Sequence, residues 1–306
     1  MFEHDPTLGV SRPLTNPRVS IGIPLYNEAK FLRPALEALI SQDFTNVEFI
    51  ISDNASTDDT AEICADFAQR DPRIRYFRNA QGIGAIANFN RVFELARGEY
   101  FMWASGHDLW SPGYVSAALQ ILDADPSVVL CSPRKAKIDA EGNVIRVIPN
   151  RIDTRSMEND PVGRLNLFLW AGPHAYTIYG VLRSSALRTT GLFRPVYGPD
   201  LVLMAELSLA GCMAQMFDEF HYARYNRDAV ETYTDSIERY RRGFFAEADR
   251  PRRWFPFWRF AGQLIRLPFR RDLSVTQKFG TIGTVLVSLT RQRKMLMREL
   301  LRLGGK

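Results

Sequence analysis

Two short acidic loops, each directly after an apolar run of strand length, contain the residue types in this chain that are best suited to chemistry. The first run, Val47–Ile51, leads into a loop with Asp53 and Asp58, and the second, Tyr100–Trp103, leads into a loop that ends at Asp108. Carboxylates at strand ends can bind a nucleotide base, a ribose or a metal–diphosphate, and they contribute little to a hydrophobic core. The pattern indicates an enzyme that handles an activated nucleotide.

A parallel sheet is needed to bring these loops together. From Val19 onward, apolar runs of strand length alternate with segments whose apolar residues recur at helical spacing, which predicts the order β-α-β-α-β-α-β. Open parallel sheets bind ligands in the crevice at the carboxyl ends of their strands, and right-handed crossovers place helices on both faces. Val128–Cys131 predicts a fifth strand, and Ala140–Asn143 predicts a hairpin turn after it. The predicted fold class is α/β with a mixed, mainly parallel sheet.

Composition argues against several classes of protein. With 46% apolar and 24% charged residues among 306, the chain lacks the signature of disorder, and no run approaches the roughly 18 apolar residues that span a membrane. Cys64, Cys131 and Cys212 have no metal-type spacing and lie among apolar neighbours, which predicts buried thiols in a reducing compartment. No secretory signal precedes the first strand. We expect a cytoplasmic protein, either soluble or peripheral at the inner face of the cell membrane.

Charge is distributed unevenly along the chain. Residues 241–306 contain 16 Lys and Arg against 4 Asp and Glu, whereas residues 1–240 contain 23 against 30. The basic part includes the aromatic-rich run Trp254–Phe260. Three interpretations are open: this region lies on an anionic membrane, binds nucleic acid, or packs on the acidic body or on a partner chain. The membrane interpretation is favoured, and nucleic acid is not expected as a partner.

Three ordered motifs resemble glycosyltransferase family 2: Ile23–Glu28, the loop Ser52–Asp58, and Ala96–Tyr100 leading into the second acidic loop. The block Val196–Leu207 is similar to the late acidic motif of that family. The resemblance covers roughly residues 18–225 and implies a GT-A fold, a nucleotide-sugar donor and inversion at the anomeric carbon. Together with the charge asymmetry, it divides the chain into an extension at 1–17, a GT-A domain at 18–240 and a basic, aromatic helical region at 241–306.

The resemblance implies roles for individual residues. Asp53 would accept a hydrogen bond from a pyrimidine N–H, and Asp108 would ligate a divalent cation, Mn²⁺ or Mg²⁺, on the diphosphate. Asp200 would be the general base that removes the proton of the acceptor hydroxyl. Arg224 would neutralise part of the charge of the leaving group. The other residues assigned to the nucleotide pocket are Pro24, Tyr26, Glu28 and Asn88.

The second acidic loop departs from the family pattern. The family usually has two or three closely spaced aspartates there, whereas this chain reads Ser105–Asp108 with His107 where another aspartate is usual. A neutral imidazole binds Mn²⁺ and other transition ions, but it is a poor Mg²⁺ ligand and adds no negative charge. We therefore expect weaker metal affinity, a preference for Mn²⁺ over Mg²⁺, or less reliance on metal.

Ordinary structural roles are also open for these residues. Asp53 could cap its own loop, Asp108 could cap the helix that follows, and Asp200 could cap the helix after Pro199. Glu206 could contact the acceptor or be buried against an arginine. His221 could line a pocket or be a buried structural histidine.

The sequence predicts an inverting glycosyltransferase that moves a sugar from a nucleoside diphosphate to a hydroxyl of a carbohydrate or lipid-linked acceptor, in surface polysaccharide or oligosaccharide synthesis. The alternative is a non-catalytic nucleotide-sugar binder or scaffold, which the reduced acidic motif suggests. A nucleotidyltransferase would have a glycine-rich, basic phosphate loop after the first strand, where this chain has Leu25–Glu28. These residues specify neither the sugar nor the linkage.

Overall fold

A computed structural model describes residues 16–149, 152–170, 175–225, 233–251 and 255–301. Over these residues the strands are β1 (Val19–Leu25), β2 (Val47–Asp53), β3 (Ile74–Arg78), β4 (Tyr100–Trp103), β5 (Leu109–Trp110), β6 (Val128–Ile138), β7 (Val144–Ile148), β8 (Val181–Arg183) and β9 (Cys212–Arg224). The helices are α1 (Ala29–Ile40), α2 (Thr60–Arg70), α3 (Ala85–Glu94), α4 (Tyr114–Ala124), α5 (Pro161–Trp170), α6 (Ser184–Arg188), α7 (Pro199–Ala210), α8 (Tyr233–Phe244), α9 (Pro256–Arg266), α10 (Val275–Arg291) and α11 (Arg293–Leu301).

The strands form one sheet whose first half is parallel. β1 pairs with β2 on one side and with β4 on the other, and β3 pairs with β2, all in parallel. β8 and β6 continue the sheet in antiparallel pairs, β9 lies parallel to β6, and β5 pairs with β9. All seven residues of β2 are buried, as expected for a strand covered on both faces. The predicted α/β fold with a mixed, mainly parallel sheet is confirmed.

Helices cover both faces of this sheet because their apolar residues recur at helical spacing. On one face, α1, α2 and α4 pack through one continuous apolar cluster, in which Leu32, Leu36 and Leu39 form the buried stripe of α1. On the other face, α3, α5, α7, α9 and α10 pack through a second cluster. Each leucine so buried stabilises the fold by about 2 kcal/mol. The carboxyl ends of β1, β2 and β4 lie between the two layers.

The fifth strand is longer than its apolar run predicted. β6 continues to Ile138 because its second half pairs with β9, where Lys135 lies opposite His221. The same half forms the predicted hairpin with β7, in which Lys137 pairs with Arg146. Residues with polar side chains therefore extend a strand whose start alone could be recognised from hydrophobicity.

The C-terminal helices belong to the same core as the sheet. Phe257 and Phe260 of α9 are almost fully buried, and α9 contacts α7. Their burial corrects the prediction of a membrane position for these two aromatic residues and supports packing on the body, whereas Trp258 is exposed and Trp254 lies outside the described residues. Among the described helices, none combines the length and hydropathy needed to cross a bilayer. The boundary at residue 240 remains a prediction.

Candidate active site

A cleft of about 720 Å³ opens where β1 and β2 end. Two neighbouring chain segments also line it, the start of α3 and the end of α8 with the turn that follows. Its lining includes Pro24, Tyr26, Glu28, Asn54, Gly84, Asn88, Phe89, Arg242, Phe245 and Arg250. Four of the residues assigned to a nucleotide pocket from the sequence, Pro24, Tyr26, Glu28 and Asn88, are therefore brought together here.

Hydrogen bonds between the two loops at the strand ends shape one wall of this cleft. The backbone N–H of Asn54 donates to the carbonyl of Leu25, and the N–H of Asn27 donates to the Ser56 hydroxyl, at 2.8 and 2.9 Å. Asn27 has a positive φ of 55°, a conformation that asparagine tolerates better than most residues. This turn leaves Tyr26 57% exposed at the rim.

Asn88 joins α3 to both strand ends. Its amide Nδ2 donates to the carbonyl of Ser52 at 2.9 Å, and its Oδ1 accepts from the Ser52 hydroxyl at 2.7 Å and from Asn79 at 3.2 Å. The residue is buried. Asn88 therefore fixes the floor of the cleft as well as lining it.

Asp53 lies behind the wall of the cleft rather than among its lining residues. The side chain is fully buried. Its Oδ1 accepts from the N–H of Ser56 at 2.9 Å, and its Oδ2 accepts from the Tyr76 hydroxyl at 3.1 Å and lies 3.4 Å from Arg78 Nε. These contacts agree with the alternative in which Asp53 caps its own loop. A direct contact between Asp53 and a nucleotide base stays a prediction, and it would require these partners to be exchanged.

The second acidic loop lies against the end of β1. A Cβ at Gly106 would come within 2.6 Å of Leu25, so glycine permits this approach. His107 places its Nδ1 3.0 Å from a carboxylate oxygen of Glu28. Burial alone would lower the pKa of His107, but the hydrogen bond and charge of Glu28 and the charge of Asp108 raise it overall. The imidazole thus forms a pair with a cleft-lining carboxylate.

Asp108 is held by the end of β9. Its Oδ2 lies 2.8 Å from Nε2 of the fully buried His221, and its Oδ1 accepts from the backbone N–H of Arg224 at 2.8 Å. Burial would raise the pKa of Asp108, yet the hydrogen bond and charge of His221 and the charge of His107 lower it to about 2. Asp108 is thus an ionised anchor between two loops. His221 is thus placed as a buried structural histidine, and its ring stacks on the ring of Trp110.

The same geometry tests whether a divalent cation fits this loop. Both oxygens of Asp108 are already engaged, one by His221 and one by the backbone N–H of Arg224, and His107 turns its Nδ1 to Glu28. Among the described residues, no group of three or more His, Cys, Asp or Glu side chains could hold a metal ion. Mg²⁺ needs several oxygen ligands in near-octahedral geometry. The described residues do not fit such a site, and the metal roles of Asp108 and His107 stay untested predictions.

The Arg224 side chain connects three loops. Its Nε donates to the carbonyl of His107 at 2.9 Å, and its Nη1 donates to the carbonyls of Asp139 and Ala140 at 2.7 and 2.6 Å. The guanidinium lies 4.5 Å from the ring centroid of Phe31. These contacts give Arg224 a positioning role, and its predicted contact with the diphosphate remains a prediction.

Asp200 lines a second cavity, of about 290 Å³, next to the cleft. The two cavities share Ala85 and Phe89 of α3. Asp200 is in the first turn of α7, after Gly198 with a φ of 55° and Pro199 at the helix start. Burial raises the pKa of Asp200 to about 6, although hydrogen bonds from backbone N–H groups of that turn act to lower it. A carboxylate with this pKa, among aromatic rings, is suited to accept a proton near neutral pH.

Several residues at the site were not identified from the sequence. Arg242 in the last turn of α8 and Arg250 after that helix line the cleft, and no motif indicated either residue. Gly84, directly before α3, has a φ of 83°, and a Cβ there would lie 2.6 Å from the carbonyl oxygen of Phe244. Glu206 is buried between Arg194 and Arg270, which agrees with its structural alternative.

Comparison with known proteins identifies the family of this chain. The model of the family described as Glycosyl transferase family 2 matches residues 20–188. The chain belongs to this family. The GT-A fold implied by the motifs is confirmed.

Curated relatives and solved structures with this domain are similar to the chain over different lengths. Chondroitin synthase of Escherichia coli is 34% identical over 130 residues, 42% of this chain and 19% of that protein. Glycosyltransferase GlyG of Streptococcus pneumoniae is 30% identical over 113 residues, 37% of this chain and 38% of that protein. The chain therefore spans well under half the length of these relatives.

Solved structures support the fold over a longer stretch. Residues 1–349 of S. aureus TarS, in complex with UDP-GlcNAc, superpose with a TM-score of 0.64 at 16% identity, covering 89% of this chain and 72% of that chain. The mannosyltransferase PcManGT of Pyrobaculum calidifontis, in complex with GDP-Man and Mn²⁺, superposes with a TM-score of 0.52 at 17% identity, covering 94% and 79%.

Proposed function

We propose that this protein transfers a sugar from a nucleoside diphosphate to an acceptor hydroxyl with inversion at the anomeric carbon. The observation that carries the proposal is the contact between two cavities: the cleft at the ends of β1 and β2, and the Asp200 cavity that shares Ala85 and Phe89 with it. A donor in the first and an acceptor in the second would meet at α3. Neighbouring structures contain UDP, UDP-GlcNAc and GDP-Man, which supports a nucleotide-sugar donor here.

The chemistry would be a single displacement. The acceptor oxygen forms a bond to the anomeric carbon as the bond from that carbon to the diphosphate oxygen breaks. The acceptor proton passes to the Asp200 carboxylate, and the nucleoside diphosphate leaves with the electron pair of the broken bond. Because the donor carbon is attacked on the face opposite the leaving group, its configuration inverts.

Charge on the leaving diphosphate would be met by cations at the cleft. Arg242 in the last turn of α8 and Arg250 after that helix line it, and guanidinium groups bind phosphate oxygens well. The proposal assigns part of this neutralisation to these side chains, and a divalent cation at Asp108 stays an untested prediction.

The acceptor is proposed to be a carbohydrate, free or lipid-linked, in surface polysaccharide synthesis. Similarity to chondroitin synthase supports a carbohydrate acceptor. The apolar and aromatic lining of the Asp200 cavity, which includes Phe89, Tyr179 and Tyr240, is suited to stacking on a sugar ring. A cytoplasmic location remains a prediction of the sequence.

Gly84 provides a test of donor binding in the cleft. Gly84→Ala should displace the turn after α8, because the added Cβ would lie within 2.9 Å of three backbone atoms there and the φ of 83° disfavours alanine. Gly82→Ala is the matched control, since its Cβ would meet its nearest atom at 3.7 Å. We expect UDP or GDP to raise the melting temperature of the wild type and of Gly82→Ala, and to raise that of Gly84→Ala much less.

Two results would count against this assignment. Equal nucleotide shifts in both glycine variants would place the nucleotide elsewhere. Nucleotide binding without any donor turnover, hydrolysis included, in the wild type would favour the non-catalytic binder, which the engagement of both Asp108 oxygens also suggests.

A further inference from the structure

Helix α10 exposes an apolar face to solvent. Val275 and Phe279 are 70% and 72% exposed, and Leu286 and Val287 are 52% and 50% exposed. With 3.6 residues per turn, Val275, Phe279 and Leu286 project from one side of the helix, opposite the buried Thr281. This α10 face therefore presents large side chains to water that contribute nothing to the core.

From Val275 to Thr290, no exposed position of α10 carries a charged residue, and Arg291 at the end of the helix is the first that does. The other exposed positions are Thr276, Gly283 and Thr290. Helices on the opposite side of the sheet differ, as the exposed side of α1 shows with Lys30 and Glu37. A surface helix normally carries charged and polar residues toward solvent. The scarcity of charge on this described face therefore indicates a surface that is covered by an apolar partner.

The apolar surface continues onto neighbouring elements. α9 and the 3₁₀ turn Leu267–Phe269 both contact α10. They add exposed side chains of Ile265 and Phe269, at 41% and 67%. Exposed apolar side chains on adjoining elements usually mark an interaction site.

Cations surround this surface, and exposed carboxylates are scarce. Residues 255–301 contain nine Lys and Arg against Asp272 and Glu299. Glu299 is buried, accepting hydrogen bonds from the N–H groups of Phe257 and Trp258. Lys278 and Arg291 flank the α10 face along the helix, and exposed Arg293 and Lys294 follow its end. In this stretch Asp272 is the exposed carboxylate, and the segment before α5, which packs against α10, adds the exposed Glu158 and Asp160. Cations still outnumber carboxylates around the α10 face.

We propose that the α10 face and its basic rim bind an anionic lipid surface, with α10 lying in the plane of the membrane. A 17-residue helix is about 25 Å long, enough to lie along the headgroup boundary with its apolar side chains inserted. Arginine and lysine at the rim would meet acidic headgroups. The residues differ from the aromatic run that the sequence indicated, and the proposal does not depend on the donor or the acceptor.

A second copy of the chain fits this surface less well. A two-fold dimer through the α10 face would bring each basic rim against its own copy. Like charges facing each other oppose association, whereas an anionic lipid surface neutralises them. The charge of the rim therefore selects the lipid over self-association.

Vesicle flotation of the full chain tests this inference. We expect the wild type to float with phosphatidylcholine vesicles containing about one-third phosphatidylglycerol, and to float far less with pure phosphatidylcholine or in high salt. Phe279→Glu and Leu286→Glu should each lower the bound-to-free ratio about tenfold, because each removes an inserted side chain and adds negative charge. Ile145→Glu, at an apolar residue of β7 that is 57% exposed, is the matched control and should float like the wild type.

Circular dichroism and a nucleotide-induced thermal shift establish that each variant is folded. Failure of the wild type to float, equal flotation on neutral and anionic vesicles, or an equal loss in Ile145→Glu would overturn the proposal. So would light scattering that shows a wild-type dimer, converted to monomer by Phe279→Glu, with no binding to vesicles.

Discussion

Two carboxylates at the mouth of the sheet, Asp108 and Asp200, have opposite environments. Asp108 is surrounded by donors and positive charge, and its pKa is about 2. Asp200 lies in an apolar cavity, and its pKa is about 6. Environments that move two acids apart in this way separate their roles. One carboxylate stabilises the loops of the site in its ionised form, and the other is poised to exchange a proton.

The largest expected effect comes from removing the proton acceptor. Asp200→Asn should lower kcat about 10²- to 10⁴-fold, because the acceptor hydroxyl would lose its base, while nucleotide binding in the cleft stays near that of the wild type. Steady-state transfer assays and thermal shifts with UDP or GDP measure the two quantities. Glu62→Gln, in the first turn of α2, is the control for a helix-start acid away from the site. Unchanged kcat in Asp200→Asn would remove Asp200 from catalysis.

The second prediction concerns stability and Asp108. Asp108→Ala should lower the free energy of unfolding by about 2–4 kcal/mol, because His221 and the Arg224 N–H would lose their buried partner. Denaturant unfolding measures the change. Asp66→Ala, which removes exposed ion pairs with Arg33 and Arg70, should cost less than about 1 kcal/mol. Equal losses in the two variants would contradict the anchor role.

The third prediction separates the carboxylates by pH. The folded pKa of Asp200 is raised from 3.8 to about 6, so the cost to stability builds up as pH rises from about 4 to about 6, where the unfolded chain is ionised and the folded protein still holds the proton. Asp200→Asn should therefore be about 1–2 kcal/mol more stable than the wild type at pH 8 and equal to it near pH 3. Asp108 has a lowered pKa, so its contribution persists above pH 4 and is lost as pH falls toward 2. Unfolding curves across this range that coincide for Asp200→Asn and wild type would refute the assigned environment.

The smallest expected effect follows from metal removal. Because Asp108 is engaged by His221 and Arg224, a chelator should change nucleotide affinity and donor turnover by less than about twofold. Titration of Mn²⁺ and Mg²⁺ after chelation measures this. A rise of tenfold or more with Mn²⁺ would show that Asp108 exchanges its partners for a metal, and the two carboxylates would then differ less than their surroundings indicate.

The order of the first strands and helices along the chain was predictable because apolar periodicity reports burial directly. β1, β2 and β4, and the hairpin after β6, followed from such patterns. The side-chain partners of the acidic residues were not predictable, because they depend on contacts between residues far apart in sequence. Asp108 meets residues more than a hundred positions later, and no local pattern distinguishes a carboxylate paired with His221 from one left open to a ligand.

The wall of the cleft shows the same limit. Pro24, Tyr26, Glu28 and Asn88 could be assigned to a pocket because of the family resemblance, and the first three also lie at or near the end of β1, where ligands bind in such sheets. Arg242 lines the same cleft from a segment that shares no motif with them.

Arg224 also determines when the acidic loop can become ordered during synthesis. Its hydrogen bonds reach carbonyls 84 to 117 positions earlier in the chain. Such distant contacts form late, since the closing segment must first be made. On the ribosome, the loop around His107 would become ordered only after β9 has emerged. A chain released before residue 224 would form part of the sheet but leave this loop without the hydrogen bonds that position it.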